Sequence, residues 1–444
     1  MIDLVLLTAL ATMAVALSVG WLRWRQTGVI APFGGFLIGS VFFVQPGFIY
    51  FYFVYEKATF AQDALLTISL GILLAAVGGT VALFFLEPSP KPYRISFNQV
   101  RWAYPFKAYI IVAIILLSLT MLYFVLLGYV PLLSGLGRLL VEGFSPGLLN
   151  SPRVMRDVYI NPDATYIPLQ GLLEVMRFVG LSIVGIWFIH RFREGEQRFF
   201  SALMITFCIF WLIATGQRWP LLHFLINLSI YFSFTTNYRR FIRIVLRTVF
   251  WGFMAGVIIS ALLARTNETL MQPLEIVLFG VGNLLERILF GNAVAPVLSF
   301  QLFPHDYDWL MGQSYLQNLL SYLPGPMPSF PVTFYHMVMK DPKGFTAPPD
   351  FYTEAYINFG FAGTLIMSFV LGFLLIVVEK TIARYRNTVV GLSIISTVTT
   401  YSTLASSTGI LFVIGPLIVV CFVALCFLVD KVKNYPTYSV QGRA

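Results

Sequence analysis

The residues of this chain best placed to do chemistry are arginines, histidines and a glutamate at the ends of apolar stretches. Ser151-Pro-Arg153-Val-Met-Arg156-Asp157 sets two arginines three apart, on one face if Pro152 opens a helical turn. Two guanidiniums near a helix start suit a phosphate or pyrophosphate. An exposed turn with Arg156 paired to Asp157 or to a lipid phosphate is the plainer reading. Thr215-Gly-Gln-Arg218-Trp-Pro220 is the tightest connection between apolar stretches, and it holds Arg218 close to them. Ionisable groups there are costly and often functional, although Arg218 can also simply snorkel with Trp219 as an interfacial anchor. Arg265 follows another apolar stretch, where a cation can bind an anion or complement a helix C-terminus.

Further along, His336 can serve as a general base near neutral pH or be an ordinary surface histidine. Glu354 stands where an apolar run begins. It can orient a histidine, bind a sugar hydroxyl, or merely complement a helix N-terminus. His305, Asp306 and Asp308 match no strong metal-ligand spacing. His223 reads as a hydrogen-bonded core histidine, and Cys208, Cys421 and Cys426 lie inside apolar runs as packing residues.

These groups must be positioned by elements that are overwhelmingly apolar. Of 444 residues 58% are hydrophobic and 11% charged, where a soluble domain carries about 25% charged residues. Apolar windows fall at 4–22, 29–55, 64–86, 106–130, 172–190, 199–215, 219–236, 246–264, 352–378, 388–404 and 409–429. A helix of about 20 such residues crosses the hydrocarbon of a bilayer, so the spacing predicts an all-α integral membrane protein of about eleven spans in a single polytopic domain, 1–444. The first window lacks a basic leader and a small-residue cleavage site, and is expected to be a retained helix.

An odd number of spans puts the termini on opposite sides. With the N-terminus outside and the C-terminus in the cytoplasm, 19 of the 29 basic and 5 of the 20 acidic residues lie inside. The inner face then carries +14 and the outer −5, which together make the net +9. This follows the retention of basic residues in cytoplasmic loops. The basicity thus has a topological cause, and no nucleic-acid partner is needed to explain it.

Two outer segments, 131–171 and 265–351, far exceed ordinary helix connections. The second is rich in proline from Pro324 to Pro349, which predicts a stiff, non-regular scaffold around His336. Leu274–Phe290 suits an interfacial or re-entrant helix; a twelfth crossing built from 276–303 would invert everything beyond it.

The Gly216-Gln217-Arg218 turn, the Tyr322–Pro331 proline run and Glu354-x-Tyr356-x-Asn358-Phe359-Gly360-x-x-Gly363 together resemble bacterial oligosaccharide repeat-unit polymerases, the Wzy-type O-antigen and exopolysaccharide polymerases. The resemblance runs from about residue 150 to 380, and its ordered combination is more specific than any one motif. It implies a GT-C-like bundle in the bacterial inner membrane that joins undecaprenyl-diphosphate-linked glycans on the periplasmic face without metal or cofactor. Donor and acceptor are then both lipid-linked glycans within the membrane lipid, with room for a polysaccharide chain-length regulator as protein partner. In that chemistry Arg153, Arg156, Arg218 and Arg265 stabilise the departing diphosphate, with arginine preferred for its bidentate fork. His336 is the base, Glu354 its orienter or alternative, and Tyr356 and Asn358 contact substrate. An O-antigen ligase shares this chemistry; a flippase or exporter of the same glycans would bind diphosphate without breaking a bond. Transporters tend to carry ionisable groups at the bilayer midplane and internal repeats, whereas the spans here read as almost free of charge and without repeats.

Overall fold

The computed structural model describes residues 3–86, 92–130, 133, 169–215, 219–236, 243, 246, 247, 250, 282, 293–323, 329–340, 348–409 and 411–428. Among them there is no strand, only an isolated bridge between Arg101 and Thr388. The helices are α1 (Leu4–Thr27), α2 (Pro32–Val54), α3 (Thr59–Leu86), α4 (Phe106–Leu127), α5 (Gly171–Glu194), α6 (Arg198–Ile213) and α7 (Trp219–Thr235). After them come α8 (Val294–Leu302), α9 (Gln313–Leu320), α10 (Phe330–Met339), α11 (Phe351–Ala383), α12 (Val389–Thr408) and α13 (Leu411–Leu428).

Seven of these, α1 to α5, α11 and α12, are long and apolar enough to cross a membrane, and α6, α7 and α13 contain shorter apolar helices. Ten of the eleven expected windows therefore carry helix. The eighth, 246–264, lies almost wholly outside the described residues, as does most of Leu274–Phe290. Local sequence sets the helix ends. Asp3 caps α1 by accepting from Leu6 N (3.2 Å), Asp350 caps α11 by accepting from Tyr352 N and Thr353 N, and Thr388 caps α12.

Helices in a membrane gain little from burying apolar area against one another, so association depends on close backbone approach between small residues. Here α3 and α11 pack along each other. A Cβ on Gly78 would lie 2.1 Å from the Phe369 carbonyl oxygen, and one on Gly372 2.0 Å from that of Ala75. The same device joins α2 to α12, where a Cβ on Gly39 would meet the Thr403 oxygen at 2.0 Å. α12 is accordingly among the most enclosed helices, and its many hydroxyls, Thr397, Thr399 and Thr400 among them, donate back to carbonyls of their own helix.

The bundle has two unlike ends. At one lie segment 92–104, with Arg94 and Arg101, and the helix-end residues Arg25, Lys107, Arg191, Arg193, Arg198, Lys380, Arg384 and Arg386, with Glu194 and Glu196, both paired to Arg191, as acidic exceptions. That segment is tied down by Tyr93 N donating to Thr27 O, Ile95 N to Phe234 O and Arg101 N to Asn387 O. The other end carries Asp3, Glu56, Asp63, Glu174, Asp306, Asp308, Asp350 and Glu354, with Lys57, Arg177 and Lys340 as basic exceptions. We call these the basic and the acidic face.

Three expectations need correction. The spans are not almost free of charge: Arg23 and Glu379 are 1% and 0% exposed and form an ion pair between α1 and α11, where Arg23 Nε donates to Glu379 Oε1 at 2.8 Å. Arg23 Nη2 also donates to Tyr93 OH, and Phe33 N to Glu379 Oε2. Arg177 is a third buried charge, in α5. Second, His336 lies on a regular helix, because Pro331 sits in the first turn of α10, where its missing N–H costs nothing. Third, α11 is not continuous. At Gly360 the backbone turns to φ 68°, ψ −166°, which divides it into a short half-helix carrying Glu354 and a longer one that runs on to Ala383.

Candidate functional site at the acidic face

Breaking a helix frees backbone groups that hydrocarbon cannot satisfy. The chain meets that need from the segment after α8. Leu310 N donates to Ile357 O (3.0 Å), Met311 N to Asn358 O (3.1 Å), and Gly312 N to the Asn358 side-chain oxygen (2.8 Å). Asn358 Nδ2 donates in turn to Glu354 O at 2.7 Å and Ser314 Oγ at 2.6 Å. Asn358 is thus wholly buried and braces the break. Gly363 follows from the same geometry: the bent chain brings Phe359 Cβ within 2.1 Å of where a Gly363 Cβ would stand. The glycines of the Glu354–Gly363 block therefore encode a half-helix and a turn.

Glu354, in the first turn of that half-helix, is 1% exposed. Its Oε1 accepts from Ser314 Oγ (3.1 Å) and Asn318 Nδ2 (3.0 Å), both on α9. Its Oε2 fills the space beside Gly409, where a Cβ would approach it to 2.6 Å at the junction of α12 and α13. Asn318 also accepts from Phe330 N at 3.1 Å, at the first residue of α10. Gln317 Nε2 donates to Thr333 Oγ1 at 2.6 Å, a second tie between α9 and α10. One carboxylate thus fixes α9, and through Asn318 it fixes the start of α10.

Two ionisable neighbours feel this burial. Asp350 has its carboxyl pushed up to about 6 by desolvation, against the lowering effect of the Thr353 hydroxyl and amide that donate to it. Burial raises the Tyr315 phenol well above its ordinary value, and the Glu354 charge adds to the shift.

His336 stands on the exposed side of α10, opposite Phe334 and Val338, which face the interior. Its ring neighbours Tyr335 at 6.2 Å, and no hydrogen bond joins it to Glu354. Glu354 is connected to the helix that bears His336 through α9, by way of Asn318 to Phe330 N and of Gln317 to Thr333. Tyr356 packs flat on Phe300 (3.9 Å between centroids) and edge-on to Trp309, and its hydroxyl donates to Phe303 O at 3.3 Å. Both Tyr356 and Asn358 have structural partners in this state. His305, Asp306 and Asp308 are exposed in the turn after α8. His223 is buried against the Tyr401 hydroxyl at 2.8 Å, the core histidine expected. Arg153, Arg156, Arg218 and Arg265 lie outside the described residues.

Sequence reasoning passed over the residues that hold Glu354, Ser314 and Asn318, which sit four apart on a short helix and so share a face. It also passed over Arg177. That spacing was available as a signal; its pairing with a glutamate forty residues away was not. Compared with protein-family models, with curated proteins and with solved structures, the chain finds no match in any of the three.

Proposed function

We propose that this chain is a membrane glycosyltransferase that polymerises undecaprenyl-diphosphate-linked oligosaccharide repeat units at its acidic face, in a GT-C-like bundle. The acidic face is the periplasmic side of the bacterial inner membrane in this reading, because basic residues are retained on the cytoplasmic side. The observation that carries the proposal is the chain of contacts Glu354–Asn318–Phe330, which ties the point where α11 enters the bundle to the helix bearing His336. It lies in the same block that resembles the polymerases.

In the proposed reaction a hydroxyl of the incoming lipid-linked unit attacks the anomeric carbon of the growing chain. The bond from that carbon to the diphosphate oxygen breaks, and the lipid diphosphate leaves with the bonding electrons. His336, accessible on α10, takes the acceptor proton, while Glu354 is a positioning residue. Arg153, Arg156, Arg218 and Arg265 stabilise the leaving diphosphate. Tyr356 and Asn358 act on substrate indirectly, by shaping the half-helix below it.

The test is reconstitution of the purified chain with lipid-linked repeat units, reading the ladder of longer lipid-linked glycans. His336→Ala should stop elongation and leave substrate binding nearly intact. Glu354→Gln keeps an oxygen for Ser314 and Asn318 and should retain more activity than Glu354→Leu. Normal elongation by His336→Ala would remove the base assignment. A second reading, a flippase of the same glycans, is favoured by the break at Gly360, since discontinuous helices often form transporter sites. Transbilayer movement of the lipid-linked unit with no ladder, in the same vesicles, would replace the first reading by the second.

A further inference from the structure

We infer, independently of the proposed reaction, that α9 and the turn after it form an interfacial helix whose leucine face lies among the acyl chains of the leaflet at the acidic face. An amphipathic helix of a water-soluble domain turns its apolar side toward the core. In α9 the order is reversed. Gln313, Ser314, Gln317 and Asn318 share one side of the helix by their spacing. Ser314 and Asn318 are buried against Glu354, and Gln317 is tied to Thr333 on α10. Leu316 and Leu319 stand on the other side and Leu323 one turn later, with 56%, 47% and 55% of their surface exposed. Polar groups thus hold α9 to the protein while its leucines face outward.

Composition argues against water as the cover of that face. From Trp309 to Met339 the sequence contains no Asp, Glu, Lys or Arg, whereas about a quarter of the residues of a soluble domain are charged. The level of α9 along the bundle points to lipid. From Phe361 to Ala383 the longer part of α11 rises roughly 34 Å, enough by itself to cross about 30 Å of hydrocarbon. The break at Gly360 therefore falls at the acidic-face edge of the hydrocarbon. α9 begins at that edge, because Leu310 N and Met311 N, just before it, are bonded to the carbonyls of Ile357 and Asn358 beside the break. Its outer surface also continues the lipid-facing side of α11. Ile366, Val370, Leu374 and Val378 form an exposed row at four-residue spacing down that helix. Across the break, exposed Phe359 stands 6.2 Å from the Tyr315 ring of α9. An interfacial helix at this level buries its apolar side about 5–10 Å into the boundary of headgroups and acyl chains. Glu354, by fastening the polar side, then sets the depth at which the leucines sit.

The experiment uses the full chain in vesicles of phosphatidylethanolamine and phosphatidylglycerol, with Cys208, Cys421 and Cys426 changed to alanine. A nitroxide is placed on single cysteines at Leu316→Cys and Leu319→Cys. Ile366→Cys, on the exposed row of α11, and Asp306→Cys, in the exposed turn after α8, serve as references. Spin relaxation by oxygen, which concentrates in hydrocarbon, is compared with relaxation by a water-soluble nickel chelate. Leu316→Cys and Leu319→Cys should favour oxygen, as Ile366→Cys does, while Asp306→Cys favours nickel. Nickel favoured at 316 and 319 would put the leucine face in water. Weak relaxation by both would put protein over it, a second copy of the chain included, and either result overturns the inference. The wild-type chain, which needs no substitution, is probed in parallel with phospholipids carrying a photoreactive diazirine on the acyl chain. Peptides covering 313–323 should be cross-linked along with those covering 361–378; cross-links on 361–378 and none on 313–323 would likewise overturn it.

Discussion

Gly360→Ala tests the broken helix directly. Two responses compete. The chain can keep the break and place an alanine at φ 68°, ψ −166°, a region that costs a side chain on the order of 1–3 kcal/mol. The new Cβ would also sit 3.3 Å from the Trp309 ring, which must give by a few tenths of an ångström. Alternatively α11 can straighten, in which case Leu310 N, Met311 N and Gly312 N all lose their partners. At about 1–3 kcal/mol for each unsatisfied buried group, straightening costs roughly 3–9 kcal/mol. The strained route is the cheaper one. Gly360→Ala is therefore expected to lower stability by about 1–3 kcal/mol while keeping the amides of 310–312 protected from hydrogen exchange. The assay pairs unfolding in detergent with exchange of peptides covering those residues, and exposed Ala362→Ser is the control. An unchanged unfolding midpoint, or loss of protection at 310–312, would refute the reasoning.

Asp350 should give a pH signature. Its folded-state pKa is raised, so its contribution to stability is complete below the unfolded value near 3.8 and is lost as pH rises through about 6. Relative to Asp350→Asn, which still caps the helix, the wild type should lose on the order of 3 kcal/mol across that window, and parallel stability curves would exclude it. Arg23→Met or Glu379→Leu should each destabilise by about 3–5 kcal/mol by stranding a buried charge, whereas the double variant should recover most of the loss; equal losses in single and double variants would mean that the pair is not coupled. Single cysteines at Arg386 and Asp308 should react with an impermeant thiol reagent from opposite sides of sealed vesicles, and labelling of both from one side would break the assignment of the two faces.

The helical and membrane character was legible in the sequence because it depends on one-dimensional quantities, the length of an apolar run and the sign of the charges between runs. Windows such as 106–130 and 388–404 became α4 and α12 with end shifts of a few residues. Gly28, Gly128 and Gly195 end helices in the left-handed conformation that glycine adopts readily. The Glu354–Gly363 block was legible as unusual but not as a structure. Whether Gly360 is a small packing residue or a break depends on whether other amides are present to donate to the freed carbonyls, and those come from Leu310 and Met311, nearly fifty positions away.

Tertiary structure alone decided which charges are buried together. Arg23 reads as a loop cation until Glu379, 356 residues distant, is brought against it. Glu354 reads as an interfacial acid until Ser314 and Asn318 close around it. Arg177 has Glu174 three residues before it, a spacing legible in the sequence, but the carbonyl of Leu212 that it donates to is met only because α6 ends beside it. Sequence by itself determined the solvent each segment must face, since transfer from water to hydrocarbon is a property of the segment. The partners of a buried polar group belong to the packing, because a hydrogen bond or ion pair is a relation between two places in the chain that only folding makes adjacent.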